Sequence, residues 1–138
     1  MTRSVVIVEM RLSRHVIGWC GWAALAVAHP VMAGDFKVVS APVVAAVVGE
    51  AANAKGARIT EDETNHLTVI ENKQTMTTFV ATKVGHAAHP SLMIKAMSEI
   101  GGVMYVDTSG YTAGDACQFD AWVKQFDVTT TGLCDAAD

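Results

Sequence analysis

Ser91–Ile100, SLMIKAMSEI, followed by Gly101-Gly102 and Val103–Thr108, VMYVDT, is the stretch that decides the fold. Leu92, Met93, Ala96, Met97 and Ile100 recur at helical spacing. The second run is an evident strand, however, and Gly-Gly between two apolar runs is a hairpin signal. The two readings give different proteins. A hairpin completes an antiparallel meander after the one upstream, and this is the reading we adopt.

The residues upstream supply the rest of that meander. Leu67–Glu71 (LTVIE) and Thr75–Thr82 (TMTTFVAT) are rich in β-branched residues and flank Asn72-Lys73-Gln74, which predicts a hairpin. Ala57–Thr60 predicts a short strand before it, and Glu61–Asn65 a polar turn. The three acidic residues of that turn lack the alternating spacing of a calcium loop. Lys83–Pro90 (KVGHAAHP) predicts a loop.

Two helices flank the meander. Before it, Asp35–Val39 predicts an entry strand. Ser40 stands at an N-cap position, Pro42 falls in the first turn, and Val43, Val44, Val47, Val48 and Ala51 form a stripe ending before Gly56, predicting a helix over Ala41–Lys55. Ala45, Ala46, Gly49 and Ala52 make a small-residue face expected to pack closely on the sheet, with a partner-docking face as the alternative. After the meander, Asp115 and Gln118 have capping-box spacing, and Phe119, Trp122, Val123 and Phe126 follow at i, i+3, i+4 and i+7, predicting an amphipathic helix over Asp115–Phe126. The expected fold is α+β: an N-terminal helix, a meander of three to four antiparallel strands, and a C-terminal amphipathic helix. Both helices are expected on one sheet face, leaving the other wet, partner-covered or paired with a second copy.

Residues 1–33 concern address. Arg11 and Arg14 precede the uncharged apolar run Val16–Val27, and Val31-Met32-Ala33 offers small residues for cleavage before Gly34. This is the pattern of a secretory signal peptide, on a chain starting at Met1 or Met10. An uncleaved anchor is the alternative, whereas Trp19 before Cys20 is too bulky for a lipid-modified cysteine. The expectation is a periplasmic or secreted protein of residues 34–138, one small domain. The leader carries three arginines and one glutamate, so its removal takes the net charge from −4 to −6. An acidic chain without basic clusters disfavours nucleic acid and anionic membranes as partners. Cys117 and Cys134 remain, and an exported chain with two cysteines predicts a disulfide closing a loop worth about 3 kcal/mol.

Chemistry is sparse. Gly85-His86-Ala87-Ala88-His89-Pro90 places two imidazoles three residues apart, and with His66 they are the candidate ligands for Zn²⁺ or Cu²⁺. The competing reading is structural, with one ring bonded to the loop and the other against Pro90. Ser91 beside His89 has no third member to make a triad. There is no G-x-S-x-G elbow and no phosphate-binding glycine loop, so catalysis is disfavoured. Tyr111, within the segment Tyr105–Asp115, has two readings: on a mobile loop, where tyrosine suits partner binding, or with its ring packed on the sheet edge and its hydroxyl in water. The sequence therefore predicts a non-catalytic binding or accessory protein of the bacterial envelope, with a metal-binding protein as the alternative.

Overall fold

The computed structural model describes residues 32–33, 35–126, 128–130 and 132–135; the apolar run and most of the leader lie outside them. The element order is β1 (Met32–Ala33), β2 (Asp35–Val38), α1 (Ala41–Asn53), β3 (Ala57–Asp62), β4 (Leu67–Asn72), β5 (Thr77–Thr82), β6 (Ser91–Ile100), β7 (Val103–Thr112), α2 (Ala116–Lys124) and β8 (Val128–Thr129).

Ser91–Ile100 is a strand throughout its length. It pairs antiparallel with β7 from Ser91–Thr112 to Ile100–Val103. Gly101 and Gly102 close the hairpin with φ of +61° and +80°, the left-handed pair that a type I′ turn needs and that lets the strands keep their twist. The meander is larger than expected. Its five strands, β3 to β7, are joined at β7 by β2, giving a six-stranded mixed sheet in the order β2-β7-β6-β5-β4-β3. β2 runs parallel to β7, with Asp35 beside Ser109 and Val38 beside Thr112. α1 connects β2 to β3, the two outermost strands, and so crosses the sheet.

The helices lie on opposite faces, which corrects the one-face arrangement. Val44 on α1 packs with Ala81 and Leu92, flanked by Val47, Val48, Phe79, Ile94 and Tyr111. Cross-strand register puts Ile70, Phe79, Ile94 and Ser109 in one row of that face. On the other face Phe119, Trp122 and Val123 of α2 pack with Val80 and Met93, flanked by Phe36, Leu67 and Val69. The physical cause is visible in the strands: Val69-Ile70, Phe79-Val80-Ala81 and Leu92-Met93-Ile94 are apolar at consecutive positions, so both faces need cover. Leu92, Met93, Phe119 and Val123 are fully buried. Each contributes roughly 1.5–3 kcal/mol of transfer free energy.

The small-residue face of α1 is also displaced from its expected place. Val44 and Ala51 point inward, while Ala45 and Ala46 are exposed and Gly49 and Ala52 half-buried. A Cβ at Gly49 would meet nothing within 4 Å. Valine, not alanine, therefore faces the sheet. Ser40 occupies the N-cap of α1 but its hydroxyl makes no capping bond; its carbonyl accepts the Val43 N–H at 3.0 Å.

Asp115 caps α2, its carboxylate accepting the Gln118 N–H at 2.8 Å. Cys117 in the first turn of α2 is disulfide-bonded to Cys134, with Cα atoms 4.5 Å apart. The bridge holds the tail so that Leu133 packs on the α2 core. Among the described residues no helix is long and apolar enough to cross a membrane.

Candidate functional site

The histidine loop is built from Thr82, at the end of β5, to Ser91, at the start of β6. A buried hydroxyl network pins both ends. Ser91 Oγ donates to the Ala88 carbonyl and lies 2.8 Å from Thr112 Oγ1, which accepts the Gly114 N–H at 3.1 Å. Thr82 Oγ1 accepts the Ser91 N–H at 2.8 Å. Ser91 and Thr112 are fully buried. The Ser91 hydroxyl is bonded to Ala88 and Thr112 and the His89 Nδ1 to Thr82, so among the described residues no hydrogen bond joins the serine and the histidine.

The two loop imidazoles are held in opposite tautomers. His89 Nδ1 lies 2.9 Å from the Thr82 carbonyl oxygen. A carbonyl only accepts, so Nδ1 carries the proton and Nε2 the lone pair. His86 Nδ1 instead accepts the Ala88 N–H at 3.0 Å, which leaves the neutral ring protonated at Nε2. Its ring meets Trp122 edge-on at 5.2 Å. Burial pushes the His86 pKa below the ordinary imidazole value, and charge on His66 and His89 adds to the effect. His66 sits in the β3–β4 turn with φ of +54°, its ring against Gly85. The fold thus gathers the three histidines around one loop. Among the described residues, however, no group of three or more His, Cys, Asp or Glu side chains is arranged to hold a metal ion.

A groove of about 550 Å³ opens beside this loop, between the β3–β4 turn and α2. Asp62, Asn65 and Leu67 line it from the turn and β4, Gln118, Ala121, Trp122, Gln125 and Phe126 from α2 and its end, and His86 from the loop. The Asp62 carboxylate accepts the backbone and side-chain N–H groups of Asn65 at 3.0 and 2.7 Å, which holds its pKa below the usual carboxylate range. Beside it Lys83 bridges Glu61, at 3.1 Å, and Glu63. The Glu61 pKa is lowered too, first by the Thr68 hydroxyl and then by Lys83. On the opposite wall the Trp122 and Phe126 rings stand perpendicular, 5.9 Å apart, and Lys95 Nζ lies 5.2 Å over Phe126.

Tyr111 lies elsewhere. β7 runs through Thr112, so the tyrosine is not on a loop; it pairs with Leu92 and Lys37 in the sheet and packs beneath α1. The alternation of Tyr111 with Gly110 and Thr112 was the available strand signal. Gln118, Gln125, Trp122 and Phe126 were legible as helix faces but not as groove walls, because the opposing wall comes from a turn more than fifty residues earlier. No protein-family model matches the chain, and no curated protein and no solved structure is significantly similar to it.

Proposed function

We propose that the protein is an exported, non-catalytic binding protein of the bacterial envelope, and that the groove between the β3–β4 turn and α2 receives its ligand. The lining of that groove carries the reading. Three amides, one imidazole N–H and one carboxylate are set around two aromatic rings, with no serine, threonine, cysteine or lysine among them. Amides both donate and accept, and rings give apolar area, which suits a neutral, hydrogen-bonding ligand. Asp62, with Glu61 and Glu63 nearby, opposes an anion. Export is supported by the composition of residues 1–33 and by a disulfide that oxidising compartments sustain.

Trp122 is the one tryptophan of residues 34–138, so fluorescence of the processed protein reports on the groove. Titration with neutral oligosaccharides and with capped neutral peptides is expected to give a saturable change with one class. That change is lost in a Gln118→Ala/Gln125→Ala variant. Equal responses from parent and variant would sink the assignment.

A second reading, Zn²⁺ or Cu²⁺ on the imidazoles, draws on His89. A ring that donates Nδ1–H to a backbone carbonyl presents Nε2 in the manner of a metal ligand. It requires His86 to give up the Ala88 N–H or rotate away. One-to-one shifts of both imidazoles at micromolar metal would favour it over the groove.

A further inference from the structure

The outer edge of β3 is paired with nothing among the described residues, and it is long, regular and free of proline. Such an edge is an open template for another strand. The row of side chains crossing the sheet beneath α1 runs Ile94, Phe79, Ile70 and Ile59, and it ends with Ile59 half exposed at 50%. Arg58, beside it on the opposite face, makes no ion pair among the described residues. Its in-sheet neighbour is Glu71.

The geometry points to a second copy of this chain as the occupant, added antiparallel along β3 with Ile59 opposite Ile59 of the other copy. A two-fold axis perpendicular to the sheet is the symmetry that joins two identical edges antiparallel, and it keeps the same face upward in both copies. Residues opposite one another must then share a face, which the Ile59–Ile59 register satisfies. Three consequences favour it. The apolar row continues unbroken from one sheet to the other. Arg58 stands opposite Thr60 and diagonal to Asp62 of the second copy, within reach of a long side chain, and this happens twice, against one diagonal between the two Arg58 side chains. No like charges stand directly opposite, since Glu61 meets Ala57.

α1 crosses toward β3, packs on it, and lies on the face that the axis keeps in common. Its exposed small residues are Ala45 and Ala46, and its exposed polar ones are Glu50 and Asn53, the Asn53 amide donating to the Gly49 carbonyl at 2.9 Å.

Sedimentation of the purified, disulfide-intact protein up to about 1 mM tests the assembly, because edge-only interfaces fall at the small end of the size range. A monomer–dimer equilibrium is expected. Ile59→Lys, at a half-exposed site, should weaken it by about ten-fold or more, since the substitution sets two ammonium groups face to face. Directly opposed residues have Cα atoms about 4.5–5.5 Å apart, which a disulfide spans. Air oxidation of Ile59→Cys should therefore cross-link two copies rapidly, with Cys117–Cys134 intact by peptide mapping, while Thr60→Cys cross-links slowly. A parent that stays monomeric, an Ile59→Lys variant that dimerises like the parent, or Thr60→Cys cross-linking as fast as Ile59→Cys would each overturn the assignment.

Discussion

Two buried threonines on β7 share a face and have opposite hydrogen-bonding fates. Thr112 Oγ1 is bonded to Ser91 and accepts from Gly114, whereas Thr108 Oγ1 is buried with no partner among the described residues. Thr112→Val is expected to cost about 1–3 kcal/mol, because it orphans the Gly114 N–H, while Thr108→Val is neutral or stabilising. Urea midpoints of the two variants check this; equal losses would contradict it. Gly114 is needed for closeness: a Cβ there would lie 2.7 and 2.8 Å from the His89 and Ala88 carbonyl oxygens, so Gly114→Ala must shift the histidine loop. His86 gives the loop a pH signature. Its pKa is lowered from 6.5 in the folded protein, so the unfolded chain takes up the proton first. The contribution of His86 to stability is whole above pH 6.5 and is lost as pH falls from there through the lower folded-state value. The stability–pH slope below 6.5 should be shallower in His86→Asn, whose amide oxygen can accept the Ala88 N–H; an unchanged slope would show that another group sets it. The sequence marked the histidines but not their tautomers, because these are fixed by backbone groups two and seven residues away.

The β6–β7 hairpin shows what local sequence decides. Gly101 and Gly102 have nothing within 4 Å of a Cβ, so alanine there meets no neighbour and its cost is purely the left-handed backbone. Gly101→Ala and Gly102→Ala are each expected to lose about 1 kcal/mol, and Gly101→Asn less, since asparagine tolerates that conformation. Thermal melts distinguish these; equal losses for alanine and asparagine would contradict the turn argument. This Gly-Gly pair was what selected strand over helix for Ser91–Ile100, against a helical apolar spacing that proved coincidental. α2 was equally legible, because Asp115, Gln118 and the aromatic stripe agree with one another. The placement of the helices was not. Apolar residues at consecutive strand positions announce a sheet covered on both sides, yet which helix takes which face follows from the crossover of α1 between the outermost strands, a non-local fact. β2 was foreseen as an entry strand, but its parallel pairing with β7, at the far end of the meander, has no local signature.

At the scale of the molecule, the two helices cover the central strands on opposite faces, and the groove opens beside α2. The Cys117–Cys134 bridge steadies that groove by holding the tail against the core under α2. Cys117→Ser/Cys134→Ser is expected to lower unfolding free energy by about 3 kcal/mol, read from denaturant curves on protein exported into an oxidising compartment. No change would mean that the tail is held by Leu133 alone. The groove remained hidden in the sequence because its walls come from the β3–β4 turn and from α2, and only the sheet between them sets their separation. The central claim is that this groove binds a neutral, hydrogen-bonding ligand. The most direct test is to follow the Trp122 indole N–H and the Gln118 and Gln125 side-chain amides by NMR while neutral oligosaccharides or capped peptides are added. The account predicts saturable shifts confined to the groove with one class of ligand, absent in Gln118→Ala/Gln125→Ala. Shifts elsewhere, or none with either class at about 10 mM, a concentration that detects even millimolar affinity, would contradict it.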